Sequence, residues 1–243
     1  MKAARWATRV LGLYATWALL HSAAFAGSFQ VNPIRIDLSP KAQTNALTVK
    51  NTGSESVVVQ VSVEAWSQDE GKEVYAPTRE ILATPPVLTI PPSEERVVRV
   101  GLRRAPDRAK ELSYRLFLQE VPPPPQPGFQ GLVVALRVGL PVFVAPAQGQ
   151  AAPRVQWKAA RLPDNRIEIS AMNEGTAHVQ IAEINVVDSG DKPLAAHAGL
   201  AYVLPDQRRN WALPLTAPLD SSRIRVKAVT DAGNLDADID LPN

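Results

Sequence analysis

From residue 57 to residue 66 apolar and polar side chains alternate: Val57, Val59, Val61, Val63 and Ala65 on one side, Gln60, Ser62 and Glu64 on the other. A period of two sorts these residues only on an extended strand with one buried face; a helix would scatter them around its circumference. Asn51-Thr52-Gly53-Ser54 just before it is a turn. Comparable short runs occupy 29–38, 46–50, 96–102, 114–121 and 132–144. Turn residues recur about every ten positions, and no 3.6-residue period is sustained, so the fold class is all-β. Seven strands at that spacing fit an immunoglobulin-like sandwich, which takes about 100 residues.

The segment 144–153 is small, polar and punctuated by Pro146 and Pro153, as expected of a connector between domains. Beyond it the pattern resumes, with strands over 155–159, 166–172, 179–187, 202–204 and 224–229. Turns fall at Pro163-Asp164-Asn165, Asn173-Glu174-Gly175, Ser189-Gly190-Asp191 and Asp231-Ala232-Gly233-Asn234. The chain therefore reads as two β-sandwich domains in tandem, 27–146 and 153–243, with no clean internal sequence repeat relating them.

Residues 1–26 read as an export signal. Lys2, Arg5 and Arg9 form a positive start, 10–20 is an apolar run too short to span a bilayer, and Ala24-Phe25-Ala26 offers a cleavage site after Ala26. The chain after Ala26 is therefore expected to be exported. Of the 26 Lys and Arg, the three in the leader leave 23 against 24 acids, so the exported chain has no cationic field to gather nucleic acid. The absence of Cys excludes disulfide frameworks and thiol chemistry.

Reactive constellations are missing too. After the leader only His178 and His197 remain, neither near a G-x-S-x-G elbow, and each reads as a surface or turn residue. No residues stand at metal-ligand spacing, so neither a metal nor another cofactor is expected. Asp236, Asp238 and Asp240 alternate along a strand and share one solvated face. An exported β protein of this kind is a binder rather than an enzyme.

The candidate binding surface is 131–140. Leu132, Val134, Leu136, Val138 and Leu140 make one face of a strand, while Val133 and Ala135 make the other apolar as well. Either this is a central strand covered on both sides, or it is an edge strand whose second face is kept for a partner strand. Burying Leu132, Val134 and Leu136 in a partner supplies roughly 5–9 kcal/mol before the costs of association. The preceding run, with Pro122, Pro123, Pro124, Pro125 and Pro127, lacks backbone donors and reads as a stiff loop ahead of a proline-rich recognition ligand.

Several segments in order carry a family resemblance: Pro33-Ile34-Arg35-Ile36, Trp66 at a strand end, Ala83-Thr84-Pro85-Pro86, Ile90-Pro91-Pro92, Arg96-Val97-Val98-Arg99-Val100, Leu118-Gln119-Glu120-Val121-Pro122-Pro123, and Tyr202-Val203-Leu204-Pro205. Together they resemble the periplasmic pilus-assembly chaperones, the PapD-like family of the chaperone-usher pathway. The resemblance implies two immunoglobulin-like domains in a boomerang with a cleft between them. It implies a strand lent to an incomplete pilin subunit, here Gln130 to Leu140, with Gln130, Leu132, Val134, Leu136 and Val138 along it. It also implies that Arg35 binds the subunit's C-terminal carboxylate. The cleft lysine usual in the family falls on Pro141, a departure that suggests the archaic branch. Arg115 is the preferred replacement, with Arg99 and Arg137 behind it.

The expected partners are pilin-like or coat-like subunits and an outer-membrane usher, with a self-capping dimer as one way to shield the free strand. A secreted two-domain adhesion or coat module is the alternative. A hydrolase requires His178 or His197 to sit in a cleft with a nucleophile.

Overall fold

The computed structural model describes residues 29–124, 132, 134–219 and 222–241; the expected leader and Gln130 lie outside them. Among the described residues there are strands and no helix, so the all-β expectation is borne out. The first ten strands are β1 (Phe29–Asn32), β2 (Ile36–Leu38), β3 (Thr44–Asn51), β4 (Val57–Asp69), β5 (Lys72–Pro77), β6 (Ile81–Thr84), β7 (Val87–Ile90), β8 (Glu95–Leu102), β9 (Leu112–Val121) and β10 (Arg137–Val144). They form one sheet in the order β1-β3-β8-β6 and a second in the order β2-β10-β9-β4-β5, with β7 also pairing to β4. Alternation buries Val57, Val59 and Val61 of β4 against Leu47, Val49, Val98 and Val100 of the other sheet, closing a single core.

The next seven strands are β11 (Val155–Leu162), β12 (Arg166–Asn173), β13 (Val179–Asp188), β14 (Pro193–Val203), β15 (Arg208–Pro214), β16 (Arg223–Thr230) and β17 (Gly233–Asp240). Sheets β11-β12-β15 and β14-β13-β16-β17 enclose a separate core built on Ile167, Ile169, Ile181, Ile184 and Val226. Asp236, Asp238 and Asp240 do share the exposed face of β17, where Arg223 and Arg225 pair with Asp238 and Arg223 also reaches Asp240.

Two readings are corrected. The run 29–38 is two strands rather than one: a cis Asn32-Pro33 bond separates β1 from β2, and the two belong to different sheets. The run 202–204 is the tail of a longer strand, β14. Without a clean internal sequence repeat, the two sandwiches still share one structural device. Asn51 ends β3 wholly buried, donating to the carbonyls of Glu55 (2.7 Å) and Ile90 (2.8 Å) and accepting from the Gly53 N–H (2.8 Å). Asn173 ends β12 wholly buried, donating to the carbonyls of Ala177 (2.7 Å) and Val203 (3.0 Å) and accepting from the N–H groups of Gly175 (2.9 Å) and Arg154 (3.1 Å). Each sandwich thus turns one corner with an Asn-x-Gly whose buried amide ties the main chain of its own turn to a neighbouring strand.

The two sandwiches are also in direct contact. Trp66 of β4, Phe143 of β10 and Leu204 beyond β14 form a small apolar cluster, with Tyr75 and Tyr202 against it. Gln68 is 5% exposed; its side chain donates to the Tyr202 carbonyl at 2.8 Å and accepts from the Leu204 N–H at 3.1 Å. His178 is a further correction, because it is buried in this contact instead of lying on the surface. Its ring stacks on Phe143 with centroids 3.6 Å apart and planes 7° apart. Its Nδ1 lies 2.6 Å from Glu111 Oε1, which also accepts the His178 main-chain N–H at 3.1 Å. Its Nε2 lies 3.7 Å from Asp231 Oδ2. The connector is tethered at both ends: Ala147 and Gln148 donate to the carbonyls of Asp107 and Arg108, and Ala152 accepts from Thr176.

Two outcomes follow from these packed polar groups. Asn51→Ala and Asn173→Ala each strand several buried main-chain groups, and urea titration should find each variant about 2–4 kcal/mol less stable than wild type. His178→Ala opens a void against Phe143 and leaves the Glu111 carboxylate, only 10% exposed, without its ring partner. Calorimetry should then resolve separate transitions for the two sandwiches where the wild-type chain gives one.

Candidate functional site

The site is built on β10. Its inner margin pairs antiparallel with β9 from Arg137 opposite Gln119 to Val144 opposite Leu112. Its outer margin pairs with β2 only over Val142, Phe143 and Val144. From Arg137 to Pro141 that margin has no strand beside it among the described residues. The Glu120 N–H donates to the Leu136 carbonyl at 2.8 Å, which places the main-chain groups of even-numbered residues toward β9. Alternation then turns the N–H and C=O of Arg137 and Gly139, and the C=O of Pro141, outward. Pro141 has no N–H to offer, so the line of available donors stops there.

The side chains on the core-facing side of this strand change environment along its length. Leu140 is 4% exposed and belongs to the first core. Leu136 and Val138 are half-buried against the same core. Val134 and Leu132 are 78% and 87% exposed. One apolar row therefore begins inside the first sandwich and leaves it. Residues 134–136 lie outside any strand, so the regular part of the candidate segment begins at Arg137.

The opposite side of the same sheet carries arginines interleaved with aromatic rings. Arg115 lies on β9 directly beside Pro141. Extending the β2 register back by one residue from Ile36 beside Val142 places Arg35 on the other side of Pro141. The position that lacks a cation is thus flanked by one on each neighbouring strand. The Arg115 guanidinium lies 4.5 Å from the Trp66 ring centroid and that of Arg35 5.7 Å from Phe143. A β carbon at Gly139 would stand 3.1 Å from the Phe117 ring and 3.4 Å from Arg115 Nε, so only a glycine lets both side chains lie across the strand here. Burial pushes the Tyr202 phenol above its ordinary pKa against the pull of Arg35 and Arg115, which places both cations within electrostatic reach of one ring.

The two arginines differ in what already holds them. Arg35 Nε donates to both oxygens of Asp37, at 2.9 and 3.0 Å, and its NH1 is 3.8 Å from Asp231. Burial alone would lower its pKa, but the hydrogen bond and charge of Asp37, aided by Tyr202 and Asp231, outweigh that and raise it. Arg115 makes no ion pair among the described residues. The other two candidates lie apart. Arg137 sits 4.1 Å over Phe117 and 3.9 Å from Glu64, further along β10. Arg99 belongs to β8 in the opposite sheet, between Ala46 and Thr84. Sequence reading missed Asp37 and Asp231 as partners of Arg35; Asp231 meets it only through the contact between the sandwiches.

No curated protein sequence matches the chain. Solved structures do. A chain of the CsuC-CsuE chaperone-tip adhesion subunit pre-assembly complex, from the archaic chaperone-usher Csu pili of Acinetobacter baumannii, has TM-score 0.67 and 21% identity over 89% of this chain and 100% of its own. A chain of the Salmonella enterica SafA pilin in complex with the SafB chaperone has TM-score 0.60 and 19% identity over 88% and 98%. The Pseudomonas aeruginosa CupB2 chaperone has TM-score 0.56 and 20% identity over 88% and 100%. The likeness establishes the two-sandwich fold, and a family profile described as the pili and flagellar-assembly chaperone PapD N-terminal domain matches residues 28–150, just over half the sequence. The chain therefore belongs to the PapD-like family of pilus-assembly chaperones.

Proposed function

We propose that this protein is a periplasmic chaperone that captures pilin-like or coat-like subunits by completing their open sandwich with β10 and the residues before it, then delivers them to an outer-membrane usher. The observation that carries the reading is the apolar row of β10 and the residues before it, buried at Leu140 and 87% exposed at Leu132, beside a main-chain margin with outward-facing hydrogen-bonding groups. A strand laid along that margin satisfies the amides of Arg137 and Gly139, while Leu132, Val134 and Leu136 enter the groove of the subunit. The work is binding alone, without catalysis or a cofactor, and the working units are the sandwiches over 27–146 and 153–243.

The subunit's terminal carboxylate is read as binding between Arg35 and Arg115, on either side of Pro141. Arg115 takes the larger part, because the carboxylates of Asp37 and Asp231 already engage Arg35. Recruiting the second cation from β9 instead of β10 fits the archaic branch of the family. A planar guanidinium with parallel N–H groups also suits a carboxylate better than the point charge of a lysine.

Two experiments test this. Leu132→Glu combined with Val134→Glu places two charges on the exposed part of the row and leaves the half-buried Leu136 and the core side chain Leu140 untouched. The doubly substituted chaperone should fold with the wild-type melting temperature and lose subunit co-purification; undiminished yield would reject the donor-strand assignment. Arg115→Gln should weaken subunit capture by about tenfold or more, the worth of a charge-assisted hydrogen bond, whereas Arg99→Gln on the opposite sheet should leave it unchanged. Equal effects of the two substitutions on affinity would remove Arg115 from the anchor.

A further inference from the structure

We infer that Arg209, on the second sandwich, is a positioning residue for the carboxylate anchor on the first, acting through Glu73 and Trp66 on Arg115. This rests on the reading of Arg115 as an anchor. The hairpin joining β4 to β5 reaches across to β15: at its tip Gly71, with φ 79°, lies so close that a β carbon there would stand 3.3 Å from the Asn210 main-chain nitrogen. Just behind the tip, Arg209 NH1 donates to Glu73 Oε1 at 2.6 Å, both side chains being about three-quarters buried. Gln68 donates to the same oxygen at 3.2 Å, and the Trp66 indole N–H donates to the other, Oε2. The indole is held along its other edge by Tyr202, whose ring meets it at 82° with centroids 5.3 Å apart. Its face is the platform on which the Arg115 guanidinium rests.

The chain of contacts matters for two physical reasons. The N–H of an indole is its one strong polar handle, so the carboxylate that accepts it sets the plane of the ring and the height of whatever cation stacks on it. Arg209 also neutralises Glu73, which shares with Arg115 the surroundings of the Tyr75 phenol and without that cation would compete for the Arg115 guanidinium. Loss of Arg209 therefore degrades the anchor either by letting the platform tilt or by letting Glu73 occupy the cation. Both routes require the second sandwich to be docked before the first can hold a carboxylate well.

The test uses the full exported chain and a synthetic probe, an N-terminally blocked ten-residue peptide of alternating valine and threonine, prepared as the free C-terminal acid and as the C-terminal amide. The quantity read by calorimetry or fluorescence anisotropy is the ratio of the two affinities, which a purely structural role for Arg209 would not change. Wild type should prefer the acid. Arg209→Gln should reduce that preference about threefold or more. Trp66→Phe, which keeps a ring under Arg115 but has no N–H for Glu73, should do the same and serves if the first variant fails to fold. Arg115→Gln should remove most of the preference, leaving the share due to Arg35, and adding Arg209→Gln to it should cost nothing further. Full acid preference in Arg209→Gln and Trp66→Phe, or losses that add to that of Arg115→Gln, would overturn the inference while leaving the anchor intact. If wild type binds acid and amide equally, or binds neither, the anchor reading falls and this inference falls with it.

Discussion

An unpaired strand margin is ordinarily a hazard, because exposed amides and carbonyls template pairing with any extended chain. Here the fold leaves such a margin at Arg137, Gly139 and Pro141, and the arrangement of the first sandwich follows from it. β2 is only three residues long and reaches only Val142, Phe143 and Val144, so it seals one end of β10 and no more. The cis Asn32-Pro33 bond lies between β1 and β2, where the chain passes from one sheet to the other and stops short of covering the rest of β10. Covering the open margin with a longer β2 would have given a more ordinary sandwich and removed the margin of β10 on which a second chain can extend the sheet.

The same constraint explains the distribution of charge. Gly139 leaves the face of the strand clear for Phe117 and Arg115, and Pro141 carries no charge. The cations are carried by the neighbours, Arg35 beside β2 and Arg115 on β9, and both lie against aromatic rings. Rings hold a guanidinium in place without neutralising it. Carboxylates do both, which is why Asp37 and Asp231 make Arg35 the better-anchored cation and Arg115 the more available one.

Period-two alternation made the strand content readable from sequence, since it follows from local burial alone: Val57, Val59 and Val61 face inward as their spacing requires. The apolar row through Leu140 was readable for the same reason. What alternation could not reveal was which margin of a strand is covered, because that depends on partners distant in the chain. The same row suits a central strand or an edge, and only the short register of β2 separates the two. His178 was misread because nothing near it in sequence hints at burial; its partners Glu111, Phe143 and Asp231 come from remote segments. The corner asparagines stand in Asn-x-Gly turns that were legible as turns. Their common role was hidden because the carbonyls they satisfy, at Ile90 and Val203, belong to distant strands.

The contact between the sandwiches has the character of an active component rather than a spacer. Its members are polar groups with fixed directions: Gln68 reads the main chain at Tyr202 and Leu204, His178 joins Glu111 to Asp231, and Glu73 joins Arg209 to Trp66. Apolar contacts tolerate sliding, whereas hydrogen bonds of this kind permit one alignment. Two of the three reach the arginines flanking Pro141, through Asp231 to Arg35 and through Trp66 to Arg115. A rigid angle between the sandwiches therefore translates into a fixed separation between two cations. A carboxylate placed between them registers the end of an incoming strand against Pro141, and every side chain before it is then set in step with the apolar row leading back to Leu132.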